Sequence, residues 1–148
     1  MWRERWTALV ASFFGVGYIA VVPATWASAV SAVLCWFLPN PWIIGGALLL
    51  SAVGLGVCRR SQSVFNSPDP KQFVMDEVCG MMLALLWLPK SVPLYIGAFV
   101  LFRVLDVWKP GPVRWIQNSP HPTSIMWDDL AAGVLCNLIL QALIRVIP

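Results

Sequence analysis

The chain reads as an all-α protein, a compact bundle of short membrane-embedded helices. Three observations predict this. The 148 residues are 59% hydrophobic and only 11% charged, whereas soluble domains average about 45–50% apolar and about 25% charged. Mean hydropathy is +0.74. The apolar residues gather in five segments, most of them shorter than the about 20 residues that a full helical span needs. Residues 1–148 are expected to form a single membrane domain. A disordered chain, a basic nucleic-acid-binding module and an ordinary water-soluble fold are excluded, so no nucleic-acid partner is expected. The net charge of +3 suits anionic lipid headgroups better than a polyanion.

The elements follow in order. Trp2-Arg3-Glu4-Arg5 leads into an apolar run over residues 7–38. That run far exceeds the about 7–15 residues of a signal-peptide core, and it reads as retained. Pro23 divides it into a shallow entry piece and a helix over about residues 25–38. Pro39-Asn40-Pro41 is a tight turn before the second apolar segment, residues 42–58. Residues 59–73 are polar, with Asn66-Ser67-Pro68-Asp69-Pro70 as the centre of a loop. Residues 78–88 are apolar, Pro89-Lys90-Ser91-Val92-Pro93 turns the chain, and residues 92–108 return it. A proline-rich linker over residues 109–127 precedes the last apolar segment, residues 130–147. Neither an internal repeat nor a low-complexity tract is present.

The basic residues orient these segments. Arg3, Arg5, Arg59, Arg60, Lys71, Lys109 and Arg114 fall at one set of ends, and the Pro39 and Pro89 turns share only Lys90. The positive-inside rule places the first set in the cytoplasm. Seven of the nine tryptophans, among them Trp42, Trp87 and Trp108, fall near segment ends, as an aromatic belt requires. Cys35, Cys58, Cys79 and Cys136 are scattered among apolar residues without a C-x-x-C pair. They read as small packed hydrophobes rather than zinc ligands.

The seven acids are the informative residues. Glu4 and Asp69 lie in polar stretches, but Asp76, Glu77, Asp106, Asp128 and Asp129 sit in or against apolar segments. Carboxylates there are costly. Asp76 and Glu77 open one helix on the cytoplasmic side. The next helix returns with Asp106 in its last turn, and Asp128 and Asp129 open the final one. Alternation alone therefore brings five acids to one level. Grouped and buried, they repel one another and resist ionisation unless a divalent cation sits among them. Oxygen-only ligation favours Mg²⁺ or Mn²⁺ over zinc. Arg103 lies three residues before Asp106 on the same helix face, and Lys109 follows three later. Arginine and lysine beside a carboxylate-held metal, at a membrane interface, point to a phosphate-bearing lipid.

Plainer readings stand beside this one. Acids at helix starts complement the helix dipole. Arg103 and Asp106 can form a structural ion pair. His121, between two prolines, reads as a solvated loop residue. Buried acids in a small bundle also suit an ion or proton pathway, although charges gathered at one level favour an interfacial site. Other phosphatase chemistries are absent: no Cys-x5-Arg loop, no Asp-x-Asp pair, only one histidine, and no G-x-x-x-x-G-K-[ST] loop.

Three strings carry a family resemblance. Met75-Asp76-Glu77-Val78-Cys79-Gly80 resembles D-E-x-x-G. The segment from Phe102 to Pro112 resembles F-R-x-x-D-x-x-K-P-x-P. The segment from Ile125 to Gly133 resembles I-M-x-D-D-x-x-A-G. In this order they resemble the phosphatidylglycerophosphatase A family, over nearly the whole chain from about Phe14 onward. The resemblance implies a Mg²⁺-dependent, multi-pass enzyme of the bacterial inner membrane, its site facing the cytoplasm. Such an enzyme removes the terminal phosphate of phosphatidylglycerophosphate to give phosphatidylglycerol. It implies Asp76, Glu77, Asp106, Asp128 and Asp129 as metal-binding acids, with Asp76, Asp106 and Asp129 catalytic. Arg103 and Lys109 would bind the substrate phosphate. The family's P-G-T-x-G-S string reads here Pro23-Ala24-Thr25-Trp26-Ala27-Ser28, and its glycine-rich turn before Ile125 reads Pro122-Thr123-Ser124. An inactive scaffold descended from such an enzyme is the corresponding alternative.

Overall fold

A computed structural model describes residues 2–146, apart from the side chain of Pro112. Its helices are α1 (Trp2–Ala11), α2 (Pro23–Phe37), α3 (Asn40–Val64), α4 (Met75–Ala84), α5 (Val92–Trp108), α6 (Gly111–Gln117) and α7 (Ser124–Val146). One 3-10 turn, Val16–Tyr18, lies between α1 and α2, and the described residues contain no strand. The all-α expectation therefore holds. Of these helices, α3 and α7 are long and apolar enough to cross a membrane. At 10 residues, α4 is too short to do so.

Several boundaries follow directly from the sequence. Pro23 occupies the first turn of α2, where its missing N–H costs nothing. The Ser91 hydroxyl caps α5 by accepting from the Leu94 N–H at 3.3 Å. Lys109 ends α5 in a left-handed conformation, φ 46°, and Pro110 forbids continuation.

Other boundaries differ from expectation. The polar residues after Cys58 extend α3 to Val64, because nothing from Arg59 to Ser63 breaks a helix. Ser61 and Ser63 fold their hydroxyls onto the Cys58 and Arg59 carbonyls. In the opposite sense, α4 stops at Ala84 although the sequence stays apolar to Leu88. Trp87 turns into the left-handed region, φ 56°. The proline-rich linker contains α6, which tolerates proline in its first turn. Finally, α7 starts at Ser124, so Asp128 and Asp129 lie beyond its first turn and do not open it. The expected end of this segment, residue 147, lies outside the described residues.

The short helix α4 is the axis of the bundle. Eight of its ten residues are buried. It crosses α7 where Gly80 meets Gly133, and a Cβ on Gly133 would collide with the Gly80 carbonyl. Small residues permit this close backbone approach. The Ser31 hydroxyl of α2 donates to the Val78 carbonyl at 2.9 Å. The unpaired carbonyls at the end of α4 are met from α7. Asn137 Nδ2 donates to the carbonyls of Ala84 (3.0 Å) and Leu86 (2.7 Å). A helix that stops among apolar surroundings needs such partners, since no water is there to supply them.

Two ends of the bundle are chemically distinct. At one, the Lys90 ammonium donates to the carbonyls of Trp36 and Leu38, and the Trp87 N–H donates to Asn40 Oδ1. At the other, Val74 N–H donates to the Ala11 carbonyl, and Gln62 Nε2 donates to the Pro122 carbonyl. This second end joins the starts of α4 and α7 to the basic end of α3.

Candidate active site

Asp76 and Glu77 lie in the first turn of α4, and Asp129 faces them from α7. One carboxylate oxygen from each lies within 4.8 Å of the others. Asp76 and Asp129 are buried, and Glu77 is half-buried with its Oε2 fully enclosed and without a hydrogen-bond partner. Asp76 Oδ1 accepts the Glu77 N–H at 3.0 Å, and Asp128 Oδ1 accepts the Asp129 N–H at 3.1 Å. Burial pushes Asp76 well above the usual carboxylate range, and the adjoining Glu77 charge adds to the shift. Burial likewise raises Glu77. These three side chains can hold a metal ion: they offer only oxygen, they repel one another, and one enclosed oxygen lacks a partner.

The other two acids are engaged differently. Arg103 Nη1 lies 2.7 Å from Asp106 Oδ2, on one face of α5. That contact is an ion pair without hydrogen-bond alignment, so the guanidinium Nη1 keeps a donor unused. Lys109 pairs with Asp128 across the gap between α5 and α7. Asp128 is 1% exposed. Burial opposes the charge on Lys109, but the Asp128 hydrogen bond and the charges of Asp128, Asp129 and Asp106 outweigh it and raise its pKa. The left-handed turn at Lys109 reverses the chain just where its side chain meets Asp128. A bulky residue tolerates that backbone only where the surroundings enforce it.

The expected site residues thus fall into two layers. Asp76, Glu77 and Asp129 form the inner cluster, and Arg103–Asp106 and Lys109–Asp128 flank it as two ion pairs. Asp106 reaches the cluster electrostatically, acting on Glu77. His121 is exposed and lies 2.6 Å from the Thr123 hydroxyl, consistent with a loop residue. The four cysteines are buried and unpaired. Ala24 and Ala27 occupy regular positions in α2, and Ala27 is fully buried.

Two further glycines, Gly15 and Gly17, position the first half of the chain. Gly15 takes φ +100°, which side chains rarely adopt, and a Cβ on Gly17 would strike the Gln72 carbonyl. The close fit of residue 17 against the segment leading into α4 holds the start of that helix in place.

Comparison with known proteins shows the family to which the chain belongs. The family profile for phosphatidylglycerophosphatase A matches residues 9–144. The chain belongs to the phosphatidylglycerophosphatase A family. It is 36% identical over 133 residues to the phosphatidylglycerophosphatase A of Escherichia coli strain K12, covering 86% of this chain and 77% of that one. It is 28% identical over 141 residues to the Haemophilus influenzae protein of the same name, covering 91% and 86%. A Bacteroides thetaiotaomicron protein, named provisionally as a phosphatidylinositol-3-phosphatase, is 32% identical over 138 residues, covering 85% and 86%. No solved structure matches the chain. As a phosphatidylglycerophosphatase A family member the chain is a phosphatase.

Proposed function

We propose that the chain is a Mg²⁺-dependent lipid phosphatase that hydrolyses phosphatidylglycerophosphate to phosphatidylglycerol and phosphate. We place it in the bacterial inner membrane as a multi-pass protein, its site facing the cytoplasm. The observation that carries this reading is the buried Asp76–Glu77–Asp129 cluster between two carboxylate-paired cations. Asp76, Glu77 and Asp129 would hold Mg²⁺, with Asp106 and Asp128 completing the acidic surround. When bound, the ion supplies charge neutralisation at the phosphate and a lower pKa for water. Arg103 presents its unused donor to a phosphate oxygen, and Lys109 contributes a second positive charge beside it. Asp129 or Asp76 takes the proton of the attacking water. The P–O bond to the lipid glycerol then breaks, and the departing alkoxide takes the proton held by that carboxyl group to give the alcohol. A carboxylate nucleophile is the alternative first step.

Gathering of the acids at one end of the bundle supports this over an ion pathway, which needs charge strung through the membrane depth. The deciding measurement is phosphate release in detergent micelles, with and without Mg²⁺. Phosphatidylglycerophosphate, phosphatidate, phosphatidylinositol 3-phosphate and a soluble phosphomonoester serve as substrates. Turnover of phosphatidylglycerophosphate is expected, with loss on chelation and recovery with Mg²⁺. Asp106→Asn is expected to lower it by about 10³-fold or more, as removal of a catalytic-site charge does. Unchanged turnover in Asp106→Asn, or preference for another of these lipids, overturns the assignment.

A further inference from the structure

The face between α2 and α5 carries an apolar groove that starts at Arg103. The two helices run antiparallel, so Thr25 of α2 lies beside Arg103 of α5, and Trp36 lies beside Tyr95 with ring centroids 5.1 Å apart. A cavity of about 520 Å³ opens at the Arg103 end, between Thr25, Phe99 and Trp108. A second, of about 390 Å³, continues toward the Lys90 end and is lined only by hydrophobic residues, among them Ala29, Ala32, Val33 and Ile96. Phe99 lines both. The lining positions repeat every three or four residues on each helix, so each helix presents one continuous stripe.

The dimensions and the charge identify the occupant. From Arg103 to Val92 is 11 residues, about 16 Å along a helix. One leaflet of a bilayer contributes about half of a hydrocarbon core about 30 Å thick. The groove is therefore about as long as an acyl chain that fills one leaflet. Its single charged lining residue, Arg103, stands at the end where the acids gather. A cation at the mouth and an apolar channel of acyl-chain length complement an anionic head on an acyl tail.

We infer that this α2–α5 groove is the acyl-chain subsite: it seats one fatty-acyl chain of the phospholipid substrate and feeds the headgroup to Arg103 from the side, through the bilayer. Chain binding is then part of substrate selection. The small side chains Ala29 and Ala32 leave the groove open. The inference rests on the reading that Arg103 holds a lipid phosphate.

The test fills the groove away from the chemistry. Val33 is 60% exposed, so Val33→Trp narrows the channel without disturbing the core, and Ala32→Phe narrows it from the adjacent position. KM and kcat are compared for long-chain dioleoyl and short-chain dihexanoyl phosphatidylglycerophosphate. Each variant is expected to raise KM for the dioleoyl lipid about tenfold with kcat within about twofold, and to leave the dihexanoyl lipid unchanged. Equal effects on both lipids, or none on the dioleoyl lipid, overturn the inference. Photocrosslinking tests the groove without turnover, using phosphatidate with a diazirine in its acyl chain. Adducts concentrated on Val33, Ile96 and Phe99 support the groove, whatever the lipid turned over. Adducts spread evenly onto the exposed Leu48 of α3 and Val134 of α7 overturn it. Absence of all phosphatase activity in the unaltered protein, with crosslinks still concentrated, overturns the phosphatase reading and leaves the groove standing.

Discussion

Lys109 shows what one residue does when its backbone and its charge are set together. Its φ of 46° ends α5, and its ammonium neutralises Asp128, which is almost fully enclosed. Lys109→Met leaves that carboxylate buried and unpaired. The expected cost is about 2–3 kcal/mol, below the range for fully buried pairs because Lys109 is partly exposed. Thermal unfolding in detergent measures it, and adding Asp128→Asn to Lys109→Met is expected to return part of the loss. The pH dependence has a definite sign. The folded-state pKa of Lys109 is raised above the free value of about 10.4. Its contribution is therefore complete below that value and disappears as pH rises through the folded pKa. A Lys109→Met penalty that shrinks between pH 6 and 8 contradicts this pairing. Asp106, Arg103 and Lys109 were legible in the sequence because acid and base recur at helical spacing in an apolar segment. Their pairing was only half legible. Arg103 with Asp106 is local, whereas Lys109 with Asp128 joins two helices.

The crossing of α4 and α7 sets the separation of Asp76 from Asp129. That crossing depends on Gly80 and Gly133. A Cβ on Gly80 would lie 2.6 Å from the Asp129 carbonyl and 2.8 Å from the Phe102 ring. Neither neighbour can swing aside freely, since one is backbone and the other a fully buried ring. Gly133→Ala is expected to push the helices apart and destabilise by about 1–3 kcal/mol. It is also expected to lower phosphatase activity more than its loss of folded protein explains, because it moves one half of the acid cluster. Normal specific activity with a reduced melting temperature separates packing from site geometry and sinks the second expectation. At this scale the sequence was a partial guide. Residues 92–108 form a helix with the anticipated bounds, since Ser91, Pro93 and Pro110 punctuate both ends. The early stop of α4 was not visible, because the apolar pattern runs on to Leu88 and the stop depends on Asn137 from α7. The continuation of α3 to Val64 is hidden by a polar composition that reads as a loop, although no helix breaker occurs from Arg59 to Ser63.

The whole molecule has two ends, one carrying Lys90 and the other Arg59, Arg60 and the acids. Arg60 lies 20 residues along α3 from its start at Asn40, which is about 30 Å and the thickness of the hydrocarbon core. On the proposed membrane placement, with α3 as a span, opposite ends lie on opposite sides of the bilayer. All four native cysteines are buried, so an introduced thiol reports against a low background. Arg60→Cys is expected to react with an impermeant maleimide only when the cytoplasmic face is opened, and Lys90→Cys in intact spheroplasts. Labelling of both from the same side contradicts α3 as a span, and the reverse order inverts the orientation.

The residues alone establish that this is an apolar helical chain with few charges, and that five of its seven acids are out of place unless they cooperate. Composition and spacing suffice for that, because burial of carboxylate is costly wherever it occurs. Which acids come together was decided by packing. A glycine–glycine crossing of α4 on α7 brings Asp76, Glu77 and Asp129 together, while Asp106 and Asp128 are drawn into ion pairs. Distances between helices depend on side-chain volume at contacts far apart in the chain, and no local pattern encodes them. The groove beside Arg103 has the same origin: each helix carries its own apolar stripe, and only their antiparallel packing makes a channel of the two.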